Sequence, residues 1–200
     1  SVNLFYARHK RWGIDIGWFK DKVCLDAGCG GGRFVVALAK LGAGKVYGID
    51  ISEEAVMRAK ERTRERRLEE ITDIQIASVL ELPFPNHTFD YVLSSGVIHH
   101  TPNPKRGFDE LVRVLKPDGI LFLSVYGRGG FLWFLNDFFR HTICKIVPFF
   151  VMSKIWALAG IPSNKRYVIL DNLYVPYCFR FTEAEIRGWL NSAGFSRVRR

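Results

Sequence analysis

The chain has 200 residues, 48% of them hydrophobic and 24% charged, which suffices for one domain-sized core and marks a folded, soluble chain rather than a disordered one. No repeat period is visible, which excludes a solenoid, and the four cysteines (Cys24, Cys29, Cys144, Cys178) form no C-x-x-C pair and no zinc spacing. No metal site is therefore expected, and a reduced, cytoplasmic protein fits best. The formal net charge of +9 leaves nucleic acid, an anionic membrane surface and an acidic substrate open as partners.

In chain order, "SVNLFYARHKRWGIDIGWFKDK" lacks the uninterrupted apolar core of a signal peptide. "KVCLDAG" is a short apolar run ending in a glycine turn, as buried parallel strands do, and "GRFVVALAKLGA" follows as a helix. "KVYGIDI" is a second strand. "SEEAVMRAKERTRERRL" is an amphipathic helix capped by Ser52, with Ala55, Ala59 and Thr63 recurring on its inner face and glutamates in its first turn. Its basic residues, Arg58 to Arg67, read as a solvated face rather than a nucleic-acid footprint. "DIQIASV" alternates as a third strand, "FDYVLSSG" is a fourth, and "NPKRGFDELVRVLKP" is a helix expected to stop at Pro117. "GILFLSVYG" is the fifth strand. This alternation predicts an α/β fold with a doubly wound, mostly parallel sheet.

In such a sheet, ligands bind beyond the carboxyl ends of the strands, near the switch in strand order. The residues following the strands share that rim: Asp26 to Gly32, Asp50, Ser78 and Val79, Ser94 to His100, and Tyr126. The glycine turn "DAGCGGGR" departs from a dinucleotide fingerprint, because Arg33 stands at the third glycine position and Asp26 would repel a pyrophosphate. A cationic ligand suits Asp26 better. S-adenosylmethionine carries an ammonium and a sulfonium, and Asp50, 22 residues after Gly28, is placed to accept from ribose hydroxyls.

The motifs "LDAGCGGG", "VYGIDIS" and "ELPFPNHTFDYVLSSGVIHHTPNPKRGFDELVRVLKPDGILFLSVYG", in this order and spacing, resemble the core of class I S-adenosylmethionine-dependent methyltransferases of the type 11-like branch. The resemblance runs from about Lys22 to Gly127 and resumes at "FTEAEIRGWLNSAGF". It implies a Rossmann-like fold, one methyltransferase domain over 1–200, an N-terminal helical cap over 1–21 and an insertion over 128–180. By position, it places Asp26, Gly28, Cys29 and Gly30 around the methionine moiety of the cofactor, Asp50 on the ribose and Ile51 against the adenine. Where the family commonly has an aspartate at the adenine amino group, this chain has Ser78 followed by Val79. Ser95 and Gly96 match positions beneath the cofactor. Arg11, with Tyr6 upstream of the first motif, is a candidate partner for the methionine carboxylate. The product would be S-adenosylhomocysteine.

Methyl transfer from a sulfonium is an in-line displacement, so the protein's work is alignment and exclusion of water. His99 and His100 follow the fourth strand, and either imidazole can accept a proton from a hydroxyl or amine acceptor; the bland alternative is that both pack the next helix. Tyr126 is a candidate wall or donor. The insertion is rich in aromatics, among them Phe131, Trp133, Phe134, Phe138, Phe139, Phe149, Phe150 and Trp156, while Asp137, Arg140, Lys145 and Lys154 keep any run short of a membrane span. It reads as a substrate lid for an acceptor with an apolar part, or as a homodimer contact, with lipid contact a lesser option. Asp171, Pro176, Thr182 and Glu185 match a "D…P…T..E" arrangement of related sequences. "FSRVRR" starts an expected sixth strand. The chain stops before the family's next, antiparallel strand: either the sequence is truncated there, or "RYVILD" fills that place beside the fifth.

The leading function is therefore methylation of a small molecule. The alternatives are tRNA methylation through the basic faces, a non-catalytic binding module on the same fold and, more distantly, an NAD oxidoreductase.

Overall fold

The computed structural model describes residues 2–11, 13–163, 166, 170 and 173–199. Its sheet has five strands, β1 (Val23–Ala27), β2 (Lys45–Asp50), β3 (Thr72–Ile76), β4 (Phe89–Ser95) and β5 (Leu115–Ser124), in the order β3-β2-β1-β4-β5. All pairs are parallel. The chain works outward from β1 to β3 and then returns to lay β4 against the other side of β1, so the switch point lies between β1 and β4.

Helices α1 (Val2–Arg11), α2 (Arg33–Lys40) and α3 (Glu53–Arg64) cover one face. Helix α4 (Pro104–Val114) covers the other, joined there by Trp189 and Leu190 from the last helix. Alternation along β4 explains the two cores: Tyr91 and Leu93 enter the α1–α3 side, and Val92 enters the α4 side. Helix α3 starts where expected. The Ser52 hydroxyl accepts from the Ala55 amide at 3.3 Å, and Ala55, Ala59 and Thr63 are buried. Its outer face is solvated, with Arg58 paired to Glu54 and Arg66 to Glu65.

Three expectations need correction. Helix α4 ends at Val114, not at Pro117, and β5 already begins at Leu115. A residue before proline is pushed out of the helical region, which bars Lys116 from the helix. Leu115 is buried opposite Phe89, and the Lys116 ammonium reaches the Asp90 carboxylate at 2.8 Å. Pro117 lacks an N–H, which an edge strand tolerates. Next, "FSRVRR" forms no strand over residues 195–199, where no neighbouring strand completes its backbone bonds. Finally, of "RYVILD" the two described residues, Arg166 and Leu170, are helical rather than extended. Tyr167, Val168, Ile169 and Asp171 lie outside the described residues.

Helix α1 is fastened to the sheet by a buried polar pair. His9 Nδ1 lies 2.8 Å from the Phe5 carbonyl, which can only accept, so this nitrogen carries the hydrogen. His9 Nε2 is then the acceptor for the Tyr91 hydroxyl at 2.7 Å. Burial holds the Tyr91 pKa well above its ordinary value. Tyr91→Phe removes the donor and strands a buried ring nitrogen, so we expect a loss of about 1–3 kcal/mol in urea unfolding. An unchanged midpoint would show that the bond contributes nothing net.

Beyond β5 the chain forms α5 (Phe131–His141), a single turn α6 (Ile143–Ile146), α7 (Phe149–Leu158) and, directly after the irregular residues 175–182, α8 (Glu183–Ser192). Thr182 and Glu185 build a capping box at the start of α8. Among the described residues no single helix is long and apolar enough to cross a membrane.

Candidate active site

The loop after β1 is held by β2. The amides of Gly28 and Cys29 both donate to the Ile49 carbonyl at 2.8 Å. The Asp50 carboxylate then takes the Gly30 amide at 2.8 Å on one oxygen and the Ser52 amide at 3.0 Å on the other. Two of its lone-pair positions remain for a ligand. At Gly28 φ is +87°, and an added Cβ would meet Val97 Cγ2 at 2.2 Å, so both conformation and space demand glycine. Gly30 and Gly96 differ: both have positive φ, and nothing stands within 4 Å of a Cβ built on either. The backbone there is bare towards the rim.

Asp26 ends β1, buried, and its Oδ2 has no hydrogen-bond partner. Burial first, and then the negative charge of Asp50, pushes its carboxyl up to about 7; Arg33 and the Val35 amide oppose this. An uncompensated acid of this kind is what a cationic ligand would complete.

The remaining rim residues divide into those that can face a ligand and those that cannot. Ile51, 77% exposed, offers an apolar surface directly after Asp50. Ser95 and Gly96 follow β4, with the Gly96 amide bonded to the Ser124 carbonyl at 3.0 Å. The Ser78 hydroxyl accepts from Leu80 within its own turn at 3.2 Å, so part of its capacity is spent. Val79 is buried in the core, and Cys29 is buried with its sulfur close to where a Gly48 Cβ would sit. Both can offer only backbone to a ligand. Burial and then the charges of Asp26 and Asp50 raise the Cys29 thiol far above its usual range, so it stays protonated and unreactive.

Arg11 does not join the site. Helix α1 packs Phe5 against Phe34, at the start of α2 beside the glycine loop, and runs from there down to His9 at Tyr91. Tyr91 pairs with Cys24 near the beginning of β1, so Arg11 lies exposed at the end of α1 remote from the rim.

The two histidines are not equivalent. His99 is fully buried, neither ring nitrogen has a partner, and burial followed by the neighbouring His100 pushes its pKa down to about 3. It is a neutral packing ring, 4.0 Å from Tyr126 and 4.2 Å from His100 between centroids. His100 is half-buried, and its Nδ1 lies 2.9 Å from the Tyr177 carbonyl. That carbonyl fixes the hydrogen on Nδ1 and leaves Nε2 as the nitrogen with a lone pair.

The partner of His100 belongs to a strap that sequence reasoning missed. The Phe179 amide donates to the His99 carbonyl and the Phe181 amide to the Tyr126 carbonyl, both at 2.9 Å, and Arg128 returns a bond to Phe181 at 2.8 Å. The strap carries the insertion: Arg180 pairs with Asp137 of α5, the Val175 carbonyl accepts from Arg140, and the Tyr174 hydroxyl donates to Val147 at 2.6 Å. Backbone bonds made by an irregular segment leave no periodic signal; only the aromatic density of "YVPYCFRF" marked it.

Comparison with known proteins fits this geometry. A family model described as a methyltransferase domain, type 11, matches residues 25–123. The chain belongs to the class I methyltransferases, type 11 branch. This domain is 32% identical over 163 residues to the demethylmenaquinone methyltransferase of Anoxybacillus flavithermus, covering 77% of this chain and 66% of that one. It is 35% identical over 100 residues to the 27-O-demethylrifamycin SV methyltransferase of Amycolatopsis mediterranei, covering 50% of this chain and 37% of that one. The YcgJ protein of Bacillus subtilis shares the fold, with a TM-score of 0.64 at 20% identity over 92% of this chain and 68% of that one. The methyltransferase domain spans 52% of the length of several of its curated relatives.

Proposed function

We propose that this domain binds S-adenosylmethionine at the rim of β1, β2 and β4 and methylates a small molecule with an apolar portion, admitted beneath the insertion. The observation that carries the reading is the buried, partnerless oxygen of Asp26 beside Asp50, opposite bare backbone at Gly30 and Gly96. These residues fit the cofactor. Asp26 would hold its cationic methionine end, Asp50 its ribose hydroxyls, and Ile51 would flank the adenine, with Ser78 and the Val79 backbone at its edge. When bound, the sulfonium supplies an activated methyl group. The chain's own part is to align the acceptor against it, with Tyr126 as a wall and His100 Nε2 receiving the acceptor's proton where one must leave. A small-molecule acceptor is supported by the curated relatives, whose names specify demethylmenaquinone and 27-O-demethylrifamycin SV.

Calorimetric titration with S-adenosylmethionine, S-adenosylhomocysteine and NAD tests the cofactor. Saturable binding of the first two and none of NAD is expected. Absence of binding by either sulfur ligand would return the domain to a non-catalytic module.

A further inference from the structure

The insertion leaves apolar side chains exposed on the side of α6 and α7 away from Tyr174, whose ring packs on Phe149 and whose hydroxyl bonds to Val147. Helix α7, "FFVMSKIWAL", contains no buried residue. Leu158 at its end is 90% exposed, Phe150 62%, and Ile146 just before its start 83%. The stretches Asp137–Ile146 and Phe149–Leu158 are bent by 110° at the break between them, with the exposed Ile146 and Phe150 on either side of the bend. An apolar surface of this extent is not left to water without a reason.

The charges around it select the occupant. Between residues 128 and 163 stand four cations, Arg128, Arg140, Lys145 and Lys154, and one acid, Asp137. Asp137 is paired with Arg180, and Lys145 and Lys154 are exposed beside the apolar side chains. A second copy on a two-fold axis would set this same patch against itself, so its cations would face cations, with its one acid already paired to Arg180. An anionic bilayer satisfies both features at once: hydrocarbon takes the apolar side chains, and phosphate headgroups take the lysines. Neither helix is long enough to span.

We propose that the outer surface of α6 and α7 is a membrane-docking face that lies in the interfacial layer of an anionic lipid bilayer. Docking itself does not depend on methyl transfer. The corollary that the acceptor arrives from the lipid phase does rest on the methyltransferase reading.

Co-sedimentation of the whole chain with phosphatidylcholine vesicles, with and without about one quarter phosphatidylglycerol, tests the proposal without any cofactor present. Binding is expected to be at least about tenfold tighter with phosphatidylglycerol and to weaken as salt is raised. Ile146→Asp with Leu158→Asp should reduce vesicle binding about tenfold or more while leaving the thermal midpoint and S-adenosylmethionine titration unchanged. Lys145→Glu with Lys154→Glu should abolish the preference for the anionic lipid. No binding to either vesicle, or undiminished binding by the Asp variant, overturns the proposal. So does a dimer in sedimentation velocity that the Asp variant dissociates while vesicles fail to bind, because the face would then join two copies. A domain that binds vesicles but not S-adenosylmethionine keeps the docking face and loses the methyltransferase reading.

Discussion

Asp26→Asn is expected to weaken S-adenosylmethionine binding about 10- to 100-fold while stabilising the ligand-free protein above pH 7. The two effects share one cause. The Asp26 carboxyl is raised to about 7 by burial and by Asp50, against an ordinary carboxylate value about three units lower in the unfolded chain. The folded state therefore binds the proton more tightly. Asp26's contribution to stability is complete below the unfolded pKa and is lost as pH rises through about 7. Above that pH the protein holds a buried anion with one oxygen unpartnered, a charge that asparagine lacks. A cationic ligand uses that anion, so its binding releases a proton and tightens with rising pH. For a group titrating near 7, affinity should rise about fivefold between pH 6 and 7 in the wild type and stay flat in the variant. Urea unfolding at pH 5 and 8, with calorimetry at each pH, measures all of this. Equal affinity of the two proteins would remove Asp26 from the site.

His100→Ala should lower kcat by about 10²- to 10⁴-fold for an acceptor that must lose a proton, with little change in S-adenosylmethionine affinity. His100 Nε2 is the lone-pair nitrogen at the rim because the Tyr177 carbonyl holds the hydrogen on Nδ1. His99→Leu should do the opposite. Its ring is buried, its nitrogens are unpaired and its pKa lies near 3, so an apolar side chain of similar size is expected to leave kcat nearly unchanged and stability equal or slightly higher. Single-turnover kinetics on both variants separates the roles. A large loss from His99→Leu with none from His100→Ala would reverse the assignment.

The parallel core was legible because each of its signals is local. "LDAGCGGG" combines a buried strand with a loop in which the structure requires Gly28, and Ser52 announces α3 through its own hydroxyl. Periodicity also separated the inner face of α3 from its basic face. What stayed hidden depends on contacts distant in sequence. "IHH" gives no sign of which ring will be buried, since that is decided by Tyr126 and a strap whose Tyr177 lies 77 residues beyond His100. Arg11 was within reach of a cofactor only if α1 ran towards the rim, and its direction is fixed by Phe5 and His9 packing on other elements. Pro117 marked a boundary whose effect fell on the residues before it.

The bond between His9 and Tyr91 has a consequence for the geometry of the rim. Phe5, Phe19, Phe34 and Phe122 around it offer mutually similar surfaces, over which a helix held by apolar contact alone could rotate or slip by a turn at small cost. One directional donor and one acceptor admit a single setting. The pair therefore acts as an index pin, fixing which residue of α1 reaches Phe34 and hence how closely the first helix seals the edge of the glycine loop.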